Sequence, residues 1–428
     1  MRSGPFRAIL GVPAAAPPRP APESPVPVTF GIDRLLADPA LRRPLEGRRV
    51  AVLAHPASVT ATGEHAVDAL ARLPEVSLAS AFGPQHGFRG DKQDNMVETD
   101  DAFDPVLKIP VFSLYGRVRR PTDAMLDTFD VLLVDLQDVG TRIYTFVTTL
   151  LYVLEAAAAK GKSVWILDRP NPAGREVEGT LLLPGHESFV GAGPLPMRHG
   201  LTLGEAAAWF VHQFRLDLDW RVIELTGYHP DDGPGFGWPL LERPWVNPSP
   251  NAASLNMARC YPGSVLLEGT TLSEGRGSTV PLEGVWAPDL DRDAIVARMR
   301  ALAPQWLGGC WLRPCAIEPT FHKHAGRLCH GIQVHTDLPT YAPATFRPYR
   351  LFSLFFKALR LQHPDYPLWR DFPYEYTSGR LAIDVIDGGP LLREWVDDPA
   401  ATVADREERL LVDERAWVEA RRPFLRYP

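Results

Sequence analysis

Phe82-Gly83-Pro84-Gln85-His86-Gly87-Phe88-Arg89-Gly90 decides how the chain is read. It closes an apolar run, residues 76–82, with the length and composition of a buried strand. Gly83, Pro84, Gly87 and Gly90 end that strand in a sharp bend. Gln85, His86 and Arg89 ride on the bend. A polar trio on a tight turn after a buried strand is how open α/β sheets build sites.

The same arrangement recurs on both sides. Residues 49–54 predict a strand that ends at His55. Residues 109–114 predict another, ending at Tyr115-Gly116, and residues 130–135 one that ends at Gln137-Asp138. Residues 163–168 predict a further strand, ending at Asp168-Arg169-Pro170-Asn171. Helices are expected at 31–37, 66–73, 145–159 (stopped by Lys160-Gly161) and 203–214, with Thr202 as N-cap. Short, almost wholly apolar strands that alternate with helices predict a mainly parallel sheet covered on both faces, a Rossmann-like α/β fold. Parallel strands put their C-terminal ends on one edge. His55, His86, Asp138 and Asp168 are therefore expected to face one crevice.

A chain of 428 residues predicts two domains. Texture changes after Trp245-Val246-Asn247-Pro248-Ser249-Pro250-Asn251, which puts a boundary near residue 259. Residues 1–28 read as a disordered Pro- and Ala-rich tail, 29–259 as the Rossmann-like domain, and 260–428 as a smaller α+β domain closing the cleft. In the last, helices are expected at 293–303, 349–361 and 406–421, and a strand at 331–335.

Several function classes fall away. A net charge of −7 argues against nucleic acid as a partner. No apolar run approaches the ~20 residues of a membrane span, so no membrane insertion is expected. The N-terminal stretch fits a secretion signal poorly, and the expected compartment is the cytoplasm. Cys260, Cys310, Cys315 and Cys329 lack metal-ligand spacing and read as free thiols, with a disulfide left open. Neither a dinucleotide fingerprint nor a phosphate loop is present, so no nucleotide cofactor is assigned. His322 and His324 would share one face of a strand, but no third ligand sits at clear spacing and no metal site is read.

The ordered set of motifs carries a resemblance. Gly83 to Gly90 is followed by Asp135-Leu136-Gln137-Asp138-Val139-Gly140-Thr141-Arg142, then by Asp168-Arg169-Pro170-Asn171-Pro172 and Arg198-His199-Gly200. Glu268-Gly269, Glu274-Gly275-Arg276-Gly277 and Pro319-Thr320-Phe321-His322-Lys323-His324 complete it. In this set the chain resembles the exo-β-N-acetylmuramidases of the NamZ type, formerly a family of unknown function. The resemblance implies an active site between the two domains and no metal or cofactor. It implies release of N-acetylmuramic acid from the non-reducing end of peptidoglycan-derived disaccharides or oligosaccharides. The candidate substrate-binding positions are Gln85, Arg89, Arg142, Tyr144, Asp168, Arg169, Asn171, His199, Arg276 and His322.

Glycoside hydrolysis generally uses two carboxyl groups. Many relatives carry Glu at the position of Gln85, and an amide donates no carboxylic proton. Another carboxylate fills that role, or specificity differs, or the chain is a glycan-binding relative without turnover. The carboxylates singled out are Asp138, as base or stabiliser, and Glu178 or Glu274, as general acid. His86 is expected to position substrate or tune a carboxyl. Arg142 and Arg169 are the expected partners of the lactyl carboxylate, because a guanidinium binds carboxylate as a two-pronged fork.

Overall fold

The computed structural model describes residues 27–428 apart from 91 and 93–95. The expected tail thus falls almost wholly outside the described residues. One large sheet holds β1 (Arg49–Ala54), β2 (Ser77–Gly83), β3 (Ala102–Asp104), β4 (Ile109–Ser113), β5 (Val131–Asp135), β6 (Ser163–Leu167) and β7 (Trp220–Ile223). Their order across the sheet is β3-β4-β2-β1-β5-β6-β7. All neighbours run parallel except the edge pair β3 and β4. The sheet is apolar on both faces. Along β1 and β5, Ala51, Leu53, Leu132 and Val134 enter one core, and Val50, Val52, Val131 and Leu133 enter the other. This two-sided burial is why these strands read as unbroken apolar runs.

The helix Thr145–Ala159 covers one face, beside the helix Leu203–Gln213, whose start is fixed by a capping box between Thr202 and Glu205. The second domain carries a small antiparallel sheet of β8 (Gly284–Ala287), β9 (Trp311–Ile317) and β10 (Cys329–His335), in the order β8-β10-β9. Behind it the helix Pro348–Gln362 packs on the helices Leu255–Ser264 and Arg292–Leu302. The core on the first face continues without a break into this domain, through Ile332, Val334, Phe352 and Phe355.

Some elements depart from expectation. β7 has four residues, of which Arg221 is exposed and only Ile223 is buried, so it lacks the signature of the inner strands. The helix Leu255–Ser264 contains Pro262 and Gly263. Gly263 is where this helix meets the helix Pro348–Gln362. A Cβ there would lie 2.1 Å from the Pro348 carbonyl oxygen. All four cysteines are free thiols. No described helix is long and apolar enough to cross a membrane.

The chain end returns to the first domain. Tyr427 donates its hydroxyl to Asp168 Oδ2 (2.6 Å) and accepts from the Leu225 N–H (3.1 Å). Tyr427→Phe strips a buried carboxylate oxygen and a buried N–H of one partner each. We expect it to cost about 1–3 kcal/mol. Urea unfolding should show a lower midpoint with an unchanged slope. A midpoint equal to the parent's would contradict this anchoring role.

Candidate active site

Strand order reverses between β1 and β5, and the crevice of an open α/β sheet lies at such a switch point. The loops after β2 and β5 rise beside it. The loop after β2 folds back on itself so tightly that a Cβ on Gly83 would lie 2.6 Å from the Phe88 nitrogen. His86 takes a left-handed conformation, φ 69°, and its Nδ1 pairs with the Lys92 carbonyl (3.1 Å). Thr145 Oγ1 donates to Gln85 Oε1 (2.8 Å), joining this loop to the start of the helix Thr145–Ala159.

Here the two domains enclose a pocket. Ile143, Val190, Met257 and Leu282 are its apolar lining, each no more than 2% exposed. Gln85, His86, Tyr144 and Thr145 stand on one side, and Tyr261, Arg276, Tyr374 and Glu375 come from the second domain. Ser249 and Asn251 complete the wall. The open space is about 30 Å³, room for a water or two. A sugar ring therefore enters only when a wall gives way. A larger hollow of about 450 Å³ lies against the same loop, beside Phe88, Arg89, Phe103 and Asp104.

Of the expected site residues, Gln85, His86, Tyr144 and Arg276 meet in the pocket. Asp138 and His199 are buried, and neither is among the residues lining the wall. Asp138 Oδ2 accepts from the Gly140 N–H (2.6 Å) and holds the turn leading to Tyr144. The Leu201 N–H donates to His199 Nδ1 (3.2 Å), which puts the ring proton on Nε2, 3.6 Å from Asp138 Oδ2. Burial pushes the Tyr144 phenol up, and the Asp138 charge adds to that.

The remaining positions stand elsewhere. Arg89 projects to the larger hollow, paired with Asp104 (3.1 Å). Arg142, expected to bind carboxylate, is buried and donates to the carbonyls of Thr180, Leu195, Ile386 and Asp387. It is a cross-link between the domains. Arg169 is committed to Asp135 in a two-pronged pair (2.6 and 2.9 Å). Asp168 accepts from Thr202, Gly204 and Tyr427, and burial pushes its carboxyl up to about 6. Asn171 closes its own turn through the Ala173 N–H and the Leu201 carbonyl.

Neither expected general acid fits that role. Glu178 accepts from the Tyr349 and Arg350 N–H groups (3.1 and 2.8 Å) and caps the helix Pro348–Gln362. Glu274 is fully buried among Arg276 (3.1 Å), Lys323 (2.9 Å) and His322 (3.4 Å). Burial alone would raise its carboxyl. Lys323, Arg276 and His322 outweigh that and hold it well below the usual carboxylate range, ionised at neutral pH. His322 and His324 lie in a turn with left-handed backbones, not on a strand, and His324 Nε2 pairs with the Thr271 carbonyl (2.8 Å).

Sequence reasoning missed the carboxyl that does line the pocket. Glu375 is 4% exposed, accepts from Gln85 Nε2 (3.2 Å) and from the Tyr115 hydroxyl (2.8 Å), and sits in a turn of the second domain. Burial pushes its carboxyl up to about 7, and the Glu268 charge adds to that against the Tyr115 and Gln85 hydrogen bonds. Its one sequence signal is a lone acid between tyrosines, Pro373-Tyr374-Glu375-Tyr376, with no strand or helix to place it.

Known proteins match along nearly the whole folded chain. The model described as Exo-beta-N-acetylmuramidase NamZ, N-terminal, matches residues 50–256, and its C-terminal counterpart matches 259–427. A peptidoglycan beta-N-acetylmuramidase NamZ from Bacillus subtilis (strain 168) is 39% identical over 309 residues, 72% of either chain. Crystal structures of two DUF1343 family proteins from Bacteroides fragilis share the fold. One has a TM-score of 0.82 at 26% identity, covering 94% of this chain and 99% of its own. The other has a TM-score of 0.70 at 24% identity with the same coverage.

Glu274→Gln tests the ionic cluster. It leaves Lys323 buried without its carboxylate, and breaking a buried pair costs about 3–5 kcal/mol. Thermal unfolding should fall accordingly. A variant as stable as the parent would show that Glu274 is not a structural counter-charge.

Proposed function

The chain belongs to the NamZ family of exo-beta-N-acetylmuramidases and is a glycosidase of that kind; from that premise we propose which substrates it takes and where. Its substrates are disaccharides and short oligosaccharides from peptidoglycan that carry N-acetylmuramic acid at the non-reducing end. The terminal sugar occupies the pocket between Gln85, Tyr144, Arg276 and Glu375.

The observation that carries this reading is the make-up of the pocket's lining. Four buried apolar side chains stand with a few convergent polar groups drawn from both domains. An apolar lining with a few convergent polar groups suits one face of a pyranose and its substituents.

Arg276 is our choice for the lactyl carboxylate. Its Nη2 and Nε bind Glu268 (2.7 Å) and Glu274 (3.1 Å), and among the described residues Nη1 has no partner. The two carboxylates pre-set the guanidinium, and Lys323 balances their second charge. Arg142 and Arg169 are occupied elsewhere, which leaves Arg276 as the pocket's arginine. Identity with a muramidase across most of the chain favours hydrolysis over a binding relative without turnover.

Chromophore release from an aryl β-N-acetylmuramide, beside the matching N-acetylglucosaminide, tests the reading. We expect the muramide to be preferred at least ~100-fold in kcat/KM, since a site built for a polar group rejects the analogue lacking it. Equal turnover of the two would contradict recognition of the lactyl carboxylate. Arg276→Ala should remove the preference chiefly by raising KM for the muramide.

A further inference from the structure

We propose that Glu375 is the proton donor to the departing glycosidic oxygen, with Gln85 and Tyr115 as the residues that position it. The proposal rests on the muramidase reading above and assigns the acid that reading needs. Among the described residues, Glu375 is the carboxyl on the pocket wall. It belongs to the second domain, yet its oxygens are held by the first, Oε1 by Gln85 Nε2 (3.2 Å) and Oε2 by the Tyr115 hydroxyl (2.8 Å). Gln85 is in turn held by Thr145 Oγ1 (2.8 Å). An acid group that bridges a cleft in this way is fixed only when the cleft is closed.

The backbone points the same way. Glu375 and Tyr376 form a two-residue hairpin between Tyr374 and Thr377, with N–H to carbonyl bonds of 3.3 and 2.9 Å in the two directions. Both have positive φ, 44° and 64°. Such turns are ordinarily Asn-Gly or Gly-rich, and a Glu-Tyr pair there is strained. Strain of this sort persists only where surroundings impose it, and it gathers at functional sites. The imposing contacts are visible. Tyr376 donates its hydroxyl to Glu98 (3.0 Å), Arg119 stacks on Tyr376 (4.5 Å) and Tyr115 (4.1 Å), and the Glu375 N–H reaches Met96 Sδ (3.4 Å).

The charged and titratable groups around Glu375 set its behaviour. Tyr115 and Arg119 face it from the first domain, and Glu268, Tyr374, Tyr376 and Tyr261 from its own. Arg276 and His86 line the same pocket. Burial and Glu268 favour the uncharged acid, and it is held near pH 7, where a general acid works best. In the reaction the C1–O bond breaks and its electron pair leaves with the aglycone oxygen, which takes the Glu375 proton. Water oxygen bonds to C1, and the proton that water gives up restores the Glu375 carboxyl. The sum is hydrolysis.

The test compares Glu375→Gln with the parent on two substrates. One is the N-acetylmuramyl-β-1,4-N-acetylglucosamine disaccharide, whose leaving oxygen needs a proton. The other is 2,4-dinitrophenyl β-N-acetylmuramide, whose leaving group does not. We expect a loss of about 10²–10⁴-fold in kcat on the disaccharide and a far smaller loss, about tenfold or less, on the dinitrophenyl glycoside. Equal losses on both, or no loss on the disaccharide, would overturn the proposal. A parent enzyme inert on both would overturn the muramidase reading itself, and this role with it.

Tyr115→Phe gives a second readout. Its hydroxyl hydrogen bond favours the carboxylate, so removing it raises the pKa of Glu375. If activity depends on the protonated acid, it is expected to fall in the parent as pH rises through about 7. The alkaline limb of kcat/KM should therefore move to higher pH in Tyr115→Phe. A purely structural Glu375 would leave that limb in place.

Discussion

Parallel pairing of β1 with β2 on one side and β5 on the other, Leu53 opposite both Phe82 and Val134, forces the ends of these three strands onto one edge of the sheet. The loops after β2 and β5 then have no course but to rise side by side. Gly83 lets the first of them fold back on itself, and Thr145 and the Lys92 carbonyl hold Gln85 and His86 there. The pocket wall on this side follows from strand order. The opposite wall does not, and comes from a domain whose sheet is separate.

The two walls are kept together by buried polar links. Arg142 reaches from the β5 loop to the carbonyls of Ile386 and Asp387, and Tyr427 returns the chain end to Asp168. Arg169 neutralises Asp135 beneath the sheet edge, and Lys323 with Arg276 neutralises Glu268 and Glu274. Charges that seem available for substrate in a one-dimensional reading are consumed by burial, because an ion removed from water needs a partner. The carboxyl on the pocket wall has no cation bonded to it. Glu375 is bound by an amide and a phenol.

The sheet was legible because its strands are apolar on both faces and its helices carry capping and stop signals, as at Thr202 and at Lys160-Gly161. The loop 83–90 was legible because glycine and proline punctuate it. Roles were less so. Arg142 and Arg169 read as anion binders, since sequence shows a guanidinium but not the carbonyls and carboxylate that occupy it. Glu274 stands beside glycine in sequence, a setting that lets a ligand approach the backbone closely. Its partners Lys323 and His322 arrive from about fifty residues downstream. Glu375 lies 290 residues from Gln85, and no local pattern foretells that contact.

The proposed mechanism requires one sugar residue to sit where Gln85 of the first domain meets Glu375 of the second. A crystal structure of the protein soaked with N-acetylmuramic acid tests it most directly. The sugar is expected against Ile143 and Leu282, with its anomeric oxygen within hydrogen-bond distance of the Glu375 carboxyl and the turn at 374–377 shifted to admit it. A sugar bound instead in the larger hollow beside Arg89 and Phe103, with Glu375 untouched, would contradict it.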